Sequence, residues 1–384
     1  MKILIGLTYY RPHFSGLTIY TERLARTLAL RGHQVTVLTS RFDRSLPVEE
    51  VRDGVRIRRV GVKMRISKGV IMPGMPVEAW KLIREADVVN LHVPQMDAAY
   101  LALMSRGLGK PVVLTYHCDL RLPRGWIHGL ANLGSNLANE ISMLAANTIV
   151  TNSRDFAQHS PHLSRYLSKV EPILPPIEVP EIGEEELQAF KERHAIRPEE
   201  KIIGINARLA TEKGVEYLVR AMPLVLERYP TARVLYVGQH ENVLGEEEYA
   251  RKLEPLIASM EGHWKFLGVV PVTEQAAFFR SCHLTVLPSI NSTESYGMVQ
   301  VESMFCGTPV VATDLPGVRH AVRTTGMGII VPPRDARALA KAILEILDHP
   351  EKYHGDVLAI RKRYASITIA AAYEQIFEEL VGRS

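Results

Sequence analysis

Three observations predict an α/β protein of two domains, each built on a parallel sheet. Strand-like and helix-like segments alternate along nearly the whole chain, with no repeat or low-complexity tract between them, and that alternation lets helices cover a parallel sheet. Of 384 residues, 46% are hydrophobic and 23% charged, a globular composition with length enough for two cores of ordinary size. One proline-rich stretch, PILPPIEVP at 172–180, breaks the alternation near the middle and reads as a connection. The first domain is therefore expected over 1–175 and the second over 176–365.

The elements follow in order. Residues 2–7 read as a strand, 8–17 as a loop, 18–30 as a helix and 34–39 as a strand, which together make one βαβ unit. LTYHCD at 114–119 follows Pro111 and two valines and reads as a strand ending in polar groups. After the connection, the acidic run 181–192 reads as a helix with a solvated face. Strands are expected at 201–207, 234–237, 264–267, 283–287, 310–313 and 328–331, with helices at 246–260, 273–280 and 298–305, and one more capped by Asp335. A last helical stretch covers 367–380.

Chemistry concentrates between 281 and 313. Glu294 lies in the polar loop 288–297, and Glu302 one turn into the helix that Gly297 introduces. The 42 acidic residues of the chain give about four or five pairs at this spacing by chance, so the setting carries the signal and the spacing does not. In open parallel sheets ligands bind beyond the carboxyl ends of strands, where a helix N-terminus offers free N–H groups to anionic oxygens. Carboxylates at the same place repel phosphate and accept from neutral hydroxyls. A ligand with both groups is a nucleotide sugar.

At these residues the chain resembles the retaining glycosyltransferases of the GT-B fold, the family 4, group 1 type, whose E-x7-E motif looks like ESYGMVQVE at 294–302. The resemblance extends over essentially the whole chain. It implies two Rossmann-like domains with parallel sheets facing each other across a cleft, the first completed by the C-terminal helix 366–384. It also implies Glu302 on the ribose hydroxyls, Glu294 against the donor hexose, and Tyr296, Gly297, Met298 and Val299 lining the donor. NARLATEKG at 206–214 resembles the family's Arg and Lys pair on the diphosphate, which assigns Arg208 and Lys213 to the leaving group. A planar fork beside a point charge suits charge that grows as a glycosidic bond breaks. Ser15 and Gly16 stand where the family has two glycines, so one permissive residue replaces two. His117 matches a histidine near the donor sugar, and Gly32 with His33 ends the first helix in the family's manner.

The implied activity is transfer of a hexosyl group, with the anomeric configuration retained, from a nucleotide diphosphate sugar to a hydroxyl acceptor. A UDP-sugar is favoured and a GDP-sugar next. The acceptor is expected to be lipid-linked, a cell-envelope glycan or a glycolipid, met around 8–17, 92–97 and 120–134, with His92 and Asp97 as candidates to orient its hydroxyl. No Asp-x-Asp occurs, so no metal or other cofactor is expected. Competing classes are a nucleotide-sugar epimerase or phosphorylase on the same fold, and a non-catalytic nucleotide-sugar-binding subunit. A dinucleotide oxidoreductase is disfavoured because no G-x-G-x-x-G follows the first strand.

Cys118, Cys282 and Cys306 show no paired or metal-type spacing, which fits a reducing cytoplasm, and no signal peptide or membrane span is legible. The net charge is only +4, yet Arg52, Arg56, Arg58, Arg59, Lys63, Arg65 and Lys68 crowd one segment with Asp53 as its only acid. That 52–68 segment is an attractive surface for an anionic membrane or a phosphorylated acceptor, an expectation that purified protein ignoring anionic liposomes at low salt would remove. Nucleic acid is excluded as a partner because aromatics are not interleaved with the basic run. Trp126, Leu130, Leu133, Leu137, Ile141 and Leu144 form a helical stripe opposite asparagine and serine, so a core helix is preferred to an interfacial one.

Overall fold

The computed structural model describes residues 1–66, 69–119, 126–243, 245–260 and 262–383. They divide into two compact units, Met1–Pro176 with Tyr364–Ser384, and Ile177–Arg363, so the chain passes from one to the other twice. The first passage falls within the proline-rich stretch.

The first unit contains β1 (Lys2–Gly6), β2 (Gln34–Arg41), β3 (Glu49–Arg52), β4 (Val55–Gly61), β5 (Met64–Ile66), β6 (Gly69–Ile71), β7 (Val88–Val93), β8 (Val112–Tyr116), β9 (Thr148–Thr151) and β10 (Val170–Pro172). Eight of these form one sheet in the order β10-β9-β8-β7-β1-β2-β4-β3. All neighbours are parallel except the edge pair β3 and β4, while β5 and β6 make a separate antiparallel hairpin. Strands β7 and β8 are buried at every position, as expected where helices cover both faces of a parallel sheet. Order reverses between β1, which pairs with β2 on one side, and β7 on the other.

The second unit contains β11 (Lys201–Asn206), β12 (Ala232–Val237), β13 (Trp264–Gly268), β14 (Leu284–Leu287), β15 (Val310–Thr313) and β16 (Gly328–Val331). Its sheet is parallel throughout, in the order β13-β12-β11-β14-β15-β16. The switch lies between β11 and β14, and loops leaving the carboxyl ends of those two strands carry Arg208, Lys213 and Glu294. The core under it joins Ile203, Ile205, Val234, Tyr236, Leu284 and Val286 to the helices Val215–Arg228 and Ala336–Asp348.

The C-terminal helix, Ser366–Val381, belongs to the first unit and buries Ile369, Ala370, Tyr373 and Phe377. A fully buried aromatic of this kind contributes about 1.5–3 kcal/mol, before the cost of ordering it. Glu374 on the same helix accepts from Arg31 Nε at 2.9 Å and meets His33 Nε2 at 2.7 Å, so the turn that ends the first helix also fastens the last one.

Three local expectations change. The first helix begins at Gly16, two residues early, because Ser15 caps it: its Oγ accepts from the Thr18 N–H at 3.2 Å. The acidic helix begins at Glu184, three residues late, and opposite its solvated face Leu187 and Phe190 are buried against Phe278 and Phe279. In the helix Trp126–Ala145, Leu137 and Leu144 are 59% and 64% exposed, and the buried face is instead Asn139, Ser142 and Met143. The core reading of the stripe therefore fails at those two leucines. Trp126, Leu130 and Leu133 lie outside the residues whose side chains are described, as do Lys68 and residues 120–125.

Candidate functional site

In the second unit two loops are bound to each other. Gly214 adopts φ of +61°, and a Cβ there would lie 2.2 Å from the Pro288 carbonyl oxygen. Only glycine permits that approach. The Ile290 N–H donates to the Glu212 carbonyl at 3.0 Å, and Glu246 accepts from both the N–H and hydroxyl of Thr211 at 2.9 and 2.7 Å. The loop after β11 is thereby pinned against the loop after β14.

This packing brings Lys213 to Glu294. Lys213 Nζ donates to Glu294 Oε2 at 2.5 Å, with side chains 23% and 13% exposed, and Ser289 Oγ donates to the same oxygen at 3.4 Å. Arg208 is about half exposed and pairs with Glu212 at 3.1 Å. Both cations expected to meet a diphosphate are thus paired with carboxylates, Arg208 in a half-exposed position and Lys213 in a mostly buried one.

The helix Met298–Phe305 starts where Gly297, at φ of +74°, turns the chain. A Cβ there would fall 2.3 Å from Leu287 Cδ2, so the helix start packs down on the end of β14. Among the described residues no side chain caps this N-terminus, which leaves the N–H groups around half-buried Met298 and Val299 directed out of the helix end. Tyr296 is buried and its ring stands 5.9 Å from that of His320. Glu302, one turn further along, is buried at 9% exposure.

In the first unit Ser15 is committed to its helix. Its backbone is extended, at φ of −156°, and its hydroxyl bonds Thr18, so an N-cap stands in place of the first of the two glycines. His117 follows β8 directly, is 9% exposed, and donates its backbone N–H to Val93 at 3.0 Å. Its imidazole Nε2 is 2.9 Å from Nδ1 of His92, and Tyr20 meets it edge to face at 4.8 Å between centroids. Burial pushes the His117 imidazole down to about 3, and burial followed by His117 itself holds His92 well below the usual histidine range. Both rings are neutral at pH 7.

His92, a candidate to orient the acceptor hydroxyl, lies inside β7 and is fully buried; apolar neighbours on both sides pull the strand through that position. Asp97 precedes the helix Ala98–Gly107, where burial raises its carboxyl above the usual range and a hydrogen bond with Tyr100 opposes that rise. Sequence reasoning passed over Asn90, Thr115, Tyr20 and Tyr373. A signal for the first was present: in VVNLHV, Asn90 and His92 alternate on one face of an otherwise apolar strand.

Three arginines of the basic segment are paired with acids from other elements. Arg56 and Arg58 pair with Glu49 of β3 at 2.8 and 3.2 Å, Arg58 also reaches Glu78 at 2.9 Å, and buried Arg59 pairs with Glu50. The antiparallel register β3 to β4, which sets Glu49 opposite Arg58, accounts for this. Among the described residues no helix is long and apolar enough to cross a membrane.

Two α/β units, each with a sheet whose strand order reverses at a switch point, have the architecture of the GT-B fold. The model for glycosyl transferases group 1 matches residues 187–357 and that for glycosyltransferase family 4 matches 14–179. The chain belongs to this family of glycosyltransferases. It is 26% identical over 386 residues to a phosphatidyl-myo-inositol mannosyltransferase of Mycobacterium leprae, covering 94% of this chain and 92% of that protein. It is 27% identical over 403 residues to a D-inositol 3-phosphate glycosyltransferase of Thermobispora bispora, covering 96% and 90%. Among solved structures, Anabaena HepE in complex with UDP aligns with a TM-score of 0.78 at 18% identity over 99% of this chain and all of that one. Sucrose-phosphate synthase from Thermosynechococcus elongatus aligns at 0.76 and 20% identity over both whole chains.

Proposed function

We propose that this glycosyltransferase moves a hexosyl group, with retention, from a nucleotide diphosphate sugar to a hydroxyl on a lipid-linked or cell-envelope acceptor. The observation that carries the reading is the Lys213 to Glu294 pair beside a helix N-terminus with Glu302 buried one turn inside it. The diphosphate takes Lys213 and Arg208 as the bond to the sugar breaks, and the N–H groups at Met298 and Val299 receive its remaining oxygens. Glu294, released from Lys213, accepts from sugar hydroxyls, and Glu302 accepts from the ribose. Bound UDP in the HepE structure favours a uridine donor, and the names of the two relatives favour an acceptor carrying an inositol phosphate or its lipid. The role of His117 at the donor sugar rests on the family resemblance.

A thermal-shift panel of UDP, GDP and ADP with their sugar conjugates tests this. One nucleotide stabilises the wild type, by about 2.7 kcal/mol at a hundredfold excess over its Kd, and Glu302→Ala loses most of that. No response to any nucleotide would sink the reading. With fixed cations on the leaving group, turnover survives EDTA; complete loss, restored by magnesium or manganese, would contradict the metal-free mechanism.

A further inference from the structure

We propose that Asn90 and His92 are positioning residues that hold His117 in a single neutral tautomer, protonated at Nε2, with Nδ1 as its acceptor. A backbone carbonyl can only accept. Asn90 Nδ2 is 3.1 Å from the Val113 carbonyl oxygen and 2.9 Å from Thr115 Oγ1. This fixes the orientation of the amide, so Oδ1 faces His92 Nε2 at 2.8 Å. An amide oxygen accepts, hence His92 carries its proton on Nε2. The ring is fully buried and neutral, so Nδ1 of His92 holds a lone pair. The 2.9 Å contact between that atom and His117 Nε2 then needs a proton, and only His117 can supply it. Thr21 Oγ1 also lies 3.0 Å from His92 Nδ1, and its hydrogen has an acceptor of its own in the Leu17 carbonyl at 2.9 Å.

The far end of the network is closed by the last helix. Tyr373 OH bonds Thr115 Oγ1 at 3.1 Å and Tyr20 OH at 2.9 Å, and Tyr20 packs on His117. Register makes the arrangement possible: His92 lies opposite Thr115 across β7 and β8, and His117 is two residues further on the same face. Burial of both rings removes the alternative of an imidazolium, which would have to donate from both nitrogens.

The consequence is a selection rule at His117. A group that meets Nδ1 must donate a hydrogen bond, which admits a hydroxyl and rejects a phosphate or carboxylate oxygen. Applied to catalysis, this rests on the glycosyltransferase reading above, where a sugar hydroxyl fits and the diphosphate does not.

The test reads the tautomer directly. In full-length protein labelled with 15N-histidine, two-bond nitrogen–proton correlations are recorded between pH 6 and 8, with the His117 signals assigned by their loss in His117→Asn. The expected pattern is protonated Nε2 and bare Nδ1 throughout; an Nδ1–H ring, an imidazolium or an averaged mixture overturns the inference. His92→Phe keeps a ring of similar shape but neither accepts nor donates, and is expected to release His117 into a mixture and lower kcat by about tenfold with donor KM little changed. His92→Gln, which can both accept from His117 and donate to Asn90, is expected to restore the single tautomer and most of kcat. An unchanged tautomer in His92→Phe, or no rescue by a folded His92→Gln, overturns the role of His92. The spectra need no substrate, so failure here is separate from failure of the nucleotide panel.

Discussion

The two units place different kinds of polar chemistry at the ends of similar parallel sheets. In the second, Lys213 with Glu294 and Arg208 with Glu212 are charged, partly solvated and paired one to one. In the first, His117, His92, Asn90, Thr115, Tyr20 and Tyr373 are uncharged, buried and linked end to end. At 23% and 13% side-chain exposure the Lys213 to Glu294 pair keeps some contact with water, so a second anion can compete for its cation. A buried neutral network is costly to leave half satisfied and so holds one arrangement. The difference teaches that similar sheet ends carry separate charged pairs in one unit and a single neutral network in the other.

The largest expected effect tests the exchanging half. Lys213→Ala and Arg208→Ala should each lower turnover at saturating donor by on the order of a hundredfold, the usual loss for one preorganised charge-stabilising group. Near-normal kcat in either would mean the pairs are surface features with no part in transfer. The next sharpens the holding half: Tyr373→Phe removes only an oxygen, yet takes one hydrogen bond from each of the Tyr20 and Thr115 hydroxyls that share it. Urea unfolding should show a loss of about 2 kcal/mol, and a change below a few tenths would show the network to be slack.

The smallest effect is an acid dependence to which the first unit's buried pair contributes. His92 and His117 have folded values below the ordinary 6.5, so below that pH the unfolded chain takes up protons the native state declines. Stability is complete above about pH 6.5 and falls as the pH drops towards 3, by at most about 1.4 kcal/mol per pH unit for each imidazole. His283, lowered to about 4, adds a similar fall that is common to wild type and His92→Gln. The variant should therefore lose stability less steeply between pH 6.5 and 5.5 by about one such increment. Equal slopes in paired unfolding curves would mean that the His92 ring takes a proton in the native state.

Much of the donor half was legible in the chain because it is local. The strand Leu284–Leu287, the loop bearing Glu294, the glycine turn at 297 and the helix bearing Glu302 lie within some twenty residues, and each is set by alternation, turn chemistry or capping. The partner of Glu294 was not legible as such. Lys213 is 81 positions away, and the two meet because β11 and β14 are neighbours across the switch and because Gly214 lets their loops touch. The partners of the basic segment were not legible for the same reason: counting acids within 52–68 finds Asp53, whereas strand pairing supplies Glu49 and Glu50, and the helix Met75–Glu85 supplies Glu78.

The amino-acid sequence by itself determined the alternating elements, the two-unit division near the proline-rich stretch, and the residues of the E-x7-E loop, because periodicity and backbone preference act over a few residues. Only the tertiary structure decided that Lys213 rests on Glu294, that His92 lies inside a strand against His117, and that Tyr373 closes their network from 258 residues beyond Thr115. Strand order and register bring those atoms together, and they follow from burying two whole sheets at once, a condition no short segment contains.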